Sequence, residues 1–187
     1  MEDSDYGNYR VKGNNGLTCA QPLVELTADM SKIKSTLNAL EVDRDTYMPA
    51  GIMWGRRVLS PGIPFTGGRT PEQARKMMVI MTDGQNSMYK HGQSHNAGDR
   101  AGADKAEKLD QTNEDTSTLC RLAKAEGTEI FSIAFEVDDT VTKNMLEGCA
   151  SERSMFFDAA NSNQLEKAFE EIGAKLEGSE DSVRLSR

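Results

Sequence analysis

Apolar positions in this chain come in short blocks set between long polar stretches, and the spacing inside each block predicts an element. Residues 1–16 are polar and rich in Gly and Asn, so an ordered element is not expected there. From Ala28 to Leu40, Ile33, Leu37 and Leu40 recur at i, i+4 and i+7 with lysines between them, which predicts a helix. Pro49 is placed to open a second helix, Ala50 to Leu59, whose apolar residues Ile52, Met53, Trp54, Val58 and Leu59 cover much of its circumference. SPGIPFTGGRT, from Ser60 to Thr70, is a loop by its prolines and glycines. Met77 to Thr82 is then a nearly unbroken apolar run that stops on Asp83 and Gly84. A run this short and without alternation predicts a central strand buried on both faces.

A polar insertion follows from Asp83 to about Asn113, long enough to be either a functional loop or an unstructured one. Beyond it, a helix is expected from about Glu114 to Glu126, with Leu119, Leu122 and Ala123 inward and Gly127 as its stop. Thr128 to Val137 is a β-branched and aromatic strand. Asp139 or Thr140 caps a short helix with Val141, Met145, Leu146 and Cys149 inward, and Ser154 to Asp158 is a third strand. The last helix starts at Asn161 to Asn163, where Asn163 and Glu166 have capping-box spacing, and buries Leu165, Ala168, Phe169, Ile172 and Leu176. EGSEDS then reads as a charged linker and VRLSR as an edge strand.

Strands alternating with helices from Lys76 onward predict an α/β, Rossmann-like fold: a parallel sheet with right-handed crossovers and helices on its faces. Ligands of such sheets bind at the carboxyl ends of the strands, which makes Asp83 the first functional candidate. The competing reading is that Asp83 and Gly84 only make a turn.

Length and charge narrow the classes. The 187 residues suffice for one domain with its own core, and 37% hydrophobic residues with 28% charged leave room for loops or tails. A net charge of −8 argues against nucleic acid or an anionic membrane as a partner and is compatible with a cation. No segment reaches the roughly 18 to 20 apolar residues of a membrane span, and MEDSDYGNYR has no signal-peptide core, so this chain by itself reads as soluble. Cys19, Cys120 and Cys149 contain no CxxC pair, which excludes a Cys-rich zinc module. They are either three inert thiols of a reducing compartment or a Cys120–Cys149 bridge between helices with Cys19 left over.

Thr46, in the loop ahead of Pro49, and Asp83 are expected on one edge of the sheet. A hydroxyl and a carboxylate are hard oxygen ligands, suited to Mg²⁺, Mn²⁺ or Ca²⁺. TYMPAGIMWGRRVLSPG, VIMTDGQN, LCRLAKAEGTEIFSIAFEV, LEGCASERSMFFDAANSNQLEKAFEEIG and VRLSR together resemble the C-terminal half of a von Willebrand factor A (VWA) domain. More narrowly, they are similar to the TadG-like proteins of tight-adherence (Flp) pilus assembly in bacteria. The resemblance implies a partial VWA-like domain over 18–178, between a poorly ordered 1–17 and a tail or edge strand at 179–187. It gives Thr46 and Asp83 the second and third roles in a metal-ion-dependent adhesion site. The first part of that site, a DxSxS loop, does not occur in this sequence, so the strand that precedes it in the family, the usual first central strand, is expected to be missing too.

What the resemblance implies is a non-enzymatic adhesion or assembly module. It would sit in the periplasm or cell envelope as part of a longer, membrane-anchored protein. A weakly held divalent cation on Thr46 and Asp83 would meet an acidic side chain of a protein partner, such as a pilus assembly component. An envelope location also favours the Cys120–Cys149 bridge over free thiols. One rival is a metal-free structural fragment that offers the edge of the Met77–Thr82 strand to another chain. A weaker one is a metal-dependent hydrolase using His91, His95 and Asp99, spaced i, i+4 and i+8. Gly92, Asn96 and Gly98 break any helix there, and Ser94 has no GxSxG around it. TGGRT at Thr66–Thr70 lacks both nucleotide-loop patterns.

Overall fold

The computed structural model describes residues 23–40, 46–89, 93–94 and 103–184. Their elements are α1 (Met30–Asn38), α2 (Met48–Leu59), β1 (Lys76–Thr82), β2 (Met88–Tyr89), β3 (Gln93–Ser94), α3 (Ala103–Ala125), β4 (Thr128–Phe135), α4 (Thr140–Cys149), a 3₁₀ turn (Arg153–Met155), β5 (Phe156–Ala159) and α5 (Ser162–Arg184). The segment expected to be poorly ordered, 1–17, lies outside the described residues. So do His91, His95 and Asp99.

Three strands form the parallel sheet in the order β1-β4-β5, and β2 and β3 make a separate small antiparallel pair. β1 runs beside β4 with Lys76 opposite Thr128 and Thr82 opposite Ala134. β5 joins the other side of β4 from Ser132–Phe156 to Phe135–Ala159. One face of the sheet presents Met78, Ile80, Ile130 and Ala134 to α2, α3 and α4, which contribute Ile52, Cys120, Ala123, Met145 and Leu146. The other face presents Phe131 and Ile133, covered by Ala168 and Ile172 of α5. Each such side chain taken fully out of water stabilises the fold by roughly 1.5–3 kcal/mol. Cys120 and Cys149, both buried, are joined by a disulfide across α3 and α4 with their Cα atoms 5.1 Å apart.

The central position expected for Met77–Thr82 is corrected by this topology. Among the described residues β1 is an edge strand, and its burial alternates. Val79 and Met81 are 42% and 51% exposed because α5 packs mainly on β4 and β5. The strand buried almost throughout is β4.

Four other elements differ from the sequence reading. α3 starts at Ala103, well before Glu114, inside the expected loop. Its first turns are helix formers with almost no apolar residue, so the chain there carries propensity without an amphipathic stripe. α5 continues through the expected linker and into the expected edge strand as far as Arg184. Its capping box is Asn161 with Gln164 rather than Asn163 with Glu166. Asn161 Oδ1 accepts from the Gln164 N–H at 3.1 Å, and Gln164 Oε1 accepts from the Ala160 N–H at 2.6 Å. α1 forms where expected, capped by Asp29, but Leu37 and Leu40 are exposed and no residue of the helix is fully buried. Leu122, Val141, Phe169 and Leu176, assigned to inner faces, are also exposed.

Two glycines are fixed by geometry. Gly127, at φ 77°, ends α3 where an L side chain is strained. At Gly68 a Cβ would come within 2.2 Å of the Ser60 carbonyl oxygen, so no side chain fits.

Candidate functional site

β1 delivers Asp83 to the carboxyl edge of the sheet, and the turn behind it is shaped by Thr82. The buried Thr82 hydroxyl donates to the Gly84 carbonyl oxygen at 2.8 Å and accepts from the Gly84 N–H at 3.3 Å, which folds the chain back and leaves Asp83 exposed. Three residues further on, Asn86 turns inward and is 0% exposed. Its Oδ1 accepts from the Met48 N–H at 2.9 Å, at the start of α2. Its Nδ2 donates to Asn113 Oδ1 at 3.0 Å and Thr116 Oγ1 at 3.1 Å, both on α3. A buried amide so placed satisfies a helix-start N–H that would otherwise be orphaned and ties two helices to the loop after β1.

Ser87 completes the clamp. Its Oγ accepts from the Thr46 N–H at 2.7 Å, while the Thr46 carbonyl oxygen accepts from the Ser87 and Met88 N–H groups at 2.8 and 3.1 Å. All three bonds use the Thr46 backbone, so its half-buried hydroxyl is not spent in holding the loop. Thr46 is thereby fastened to a residue four places beyond Asp83, at the same end of β1. Asn86 and Ser87 had no role in the sequence reading, which stopped at Asp83. The available signal was an Asn two residues after the strand-ending Asp83–Gly84 turn, where nothing in its neighbours predicts that it points inward.

The neighbouring strand ends are acidic as well. Glu136, directly after β4, has φ 52°, an uncommon backbone conformation for a residue other than Gly, and its N–H donates to the Ala159 carbonyl oxygen at 2.8 Å. Asp139 caps α4, accepting from the Thr142 Oγ1–H at 2.6 Å and the Thr142 N–H at 2.7 Å, and these bonds to Thr142 hold its carboxyl below the usual range. Among the described residues no group of three or more His, Cys, Asp or Glu is arranged to hold a metal ion. Thr46 and Asp83 offer hard oxygens of the right chemistry for Mg²⁺ or Ca²⁺, but two protein ligands leave most of the coordination sphere to water or to a partner.

A parallel sheet with helices on both faces, and a threonine loop clamped beside a strand-ending aspartate, is the setting in which the family can be read. The sequence matches the family model of the von Willebrand factor type A domain over residues 20–171. The chain belongs to that family. Solved structures agree on the VWA fold. The vWF domain of the type V pili tip protein Mfa5 from Porphyromonas gingivalis superposes with a TM-score of 0.61 at 15% identity, covering 84% of this chain and 76% of that one. The pilus adhesin SpaC from Lactobacillus rhamnosus GG, in its open conformation, gives 0.57 at 16% identity, covering 81% of this chain. The VWA domain here spans only 22% of the length of SpaC. A comparison with curated proteins gave no match. Among the described residues no helix is long and apolar enough to cross a membrane.

Proposed function

We propose that this VWA domain is a non-enzymatic adhesion or assembly module that recognises an acidic side chain of a protein partner through a divalent cation held on Asp83 and Thr46. The observation that carries the reading is the Asn86–Ser87 clamp, which fastens the Thr46 loop at the end of β1 where Asp83 emerges. With so few protein ligands the ion is held weakly in isolation, and the partner's carboxylate is part of the site. The pilus proteins among the similar folds support a cell-envelope setting. The narrower placement, a TadG-like component of Flp/Tad pilus assembly carried on a longer anchored protein, rests on the sequence resemblance.

Titration calorimetry with Mg²⁺ and Mn²⁺ tests the site. Weak binding that disappears in Asp83→Ala is expected. Binding that persists unchanged in that variant would remove the site from consideration.

A second reading has its own observation. The open edge of β1, with Val79 and Met81 uncovered, suits a metal-free module that pairs with a strand of another chain. In that case association is unaffected by chelator and by Asp83→Ala.

A further inference from the structure

At the opposite end of β1 from Asp83, a cleft of about 760 Å³ opens between the C-terminal turns of α2, the Thr70–Pro71 segment and the α3–β4 junction. Its chemistry is cationic over an apolar floor. Arg56 is neutralised by an ion pair with Glu126. Arg57 has no carboxylate partner among the described residues, and its guanidinium lies 5.9 Å from the centroid of the Trp54 ring. Lys76, the first residue of β1, is 9% exposed and lines the cleft, and its side chain makes no hydrogen bond or ion pair among the described residues. The carboxyl of Glu72 is held below its usual range by its hydrogen bond with Thr70, a backbone hydrogen bond and, more weakly, the charge of Lys76. Met53, Pro61 and Pro71 supply the apolar walls.

Helix polarity accounts for an arginine in the last turn of α2, where cations complement the dipole. It does not account for Lys76, which begins a strand. Its stem is packed among its neighbours while its ammonium reaches the cleft, since among the described residues no buried side-chain nitrogen lacks a hydrogen-bond partner. Two cations that make no ion pair among the described residues, facing one concavity above apolar walls, are complementary to an anionic group on an apolar stem.

We propose that this cleft binds a glutamate-bearing, otherwise apolar segment of a partner polypeptide. Lys76 and Arg57 share the carboxylate, and Met53, Pro61 and Pro71 receive the flanking apolar side chains. The site is independent of the cation site, since the seven residues of β1 separate the two by roughly 20 Å.

The test is a titration of the full ¹⁵N-labelled chain with the peptide acetyl-Leu-Glu-Leu-Glu-Leu-amide, in EDTA so that no cation site contributes. Saturable shifts are expected at the amides of Lys76, Gly127 and Thr128, with binding that weakens as salt is raised. Lys76→Met and Arg57→Gln are each expected to weaken binding about tenfold, the loss of one charge-assisted hydrogen bond, while the melting temperature of Arg57→Gln is unchanged. Equal binding of the Gln-for-Glu peptide, or unchanged affinity in either variant, overturns the proposal. So does a response to inorganic phosphate with none to the peptide, which would make the cleft a simple anion site. Arg57 is at the surface of α2, so its variant decides the matter even if Lys76→Met fails to fold.

Discussion

Val79 of β1 and Phe131 of β4 are register partners on adjacent strands and point to the same side of the sheet, yet one is 42% exposed and the other 0%. Both sit in apolar runs that read alike in the sequence. The difference is set by a third element: α5 packs on β4 and β5, and Val79 lies outside the cluster that Phe131 and Ile133 form with it. Burial at this sheet therefore depends on which strands a helix happens to cross, and an apolar strand that no helix crosses is left as a surface.

The largest test of this contrast compares truncations at the paired positions. Phe131→Ala is expected to cost about 3–5 kcal/mol in urea unfolding, whereas Val79→Ala costs well under about 1 kcal/mol. Equal losses at the two sites would mean that β1 is covered after all. Next in size is Asn86→Ala, which leaves the Met48 N–H without its partner and unties α2 from α3. A loss of about 2 kcal/mol is expected, together with line broadening at Thr46 and Ser87 but not along β4.

Asp139 gives a smaller, pH-dependent effect. Its bonds to Thr142 depress the folded-state pKa, so its contribution is fully present above the unfolded value of about 4 and is lost as pH falls through the lower folded value. Asp139→Asn should flatten that part of the acid-unfolding curve, at a cost near neutral pH of at most about 1 kcal/mol. An unchanged acid limb would show that the cap does not titrate as the geometry implies. The smallest expected effect on stability belongs to Met81→Lys, within about 0.5 kcal/mol, because the side chain is already half in water. Its readout is association instead: a charge on the bare face should reduce self-association in sedimentation, and no change would argue that this face is not sticky.

Much of the fold was legible because β4 is a β-branched and aromatic run behind the Gly127 stop of α3, and α4 carries a helical period behind its Asp139 cap. Val79 and Met81 were misread for a physical reason: an apolar residue records that a surface suits burial, not that a partner covers it. The early start of α3 was hidden because its first turns have helix propensity and no apolar stripe. The extension of α5 past Leu176 was hidden because EGSEDS looks like a solvated linker and a polar helical turn alike. At the site, the strand end and the threonine loop were visible from spacing. Asn86 was not, since whether an amide after a turn points in or out depends on helices distant in the chain.

The Asn86 clamp also defines a mechanical route. From the Thr46 loop the connections run to Ser87 and Met88, from the Met48 N–H to Asn86, from Asn86 to Asn113 and Thr116 on α3, and from α3 through the Cys120–Cys149 bond to α4. That path runs along the face of the sheet covered by three helices and does not cross the open edge of β1. The loop beside Asp83 is thus joined to the best-buried face of the sheet, the one that α2, α3 and α4 cover.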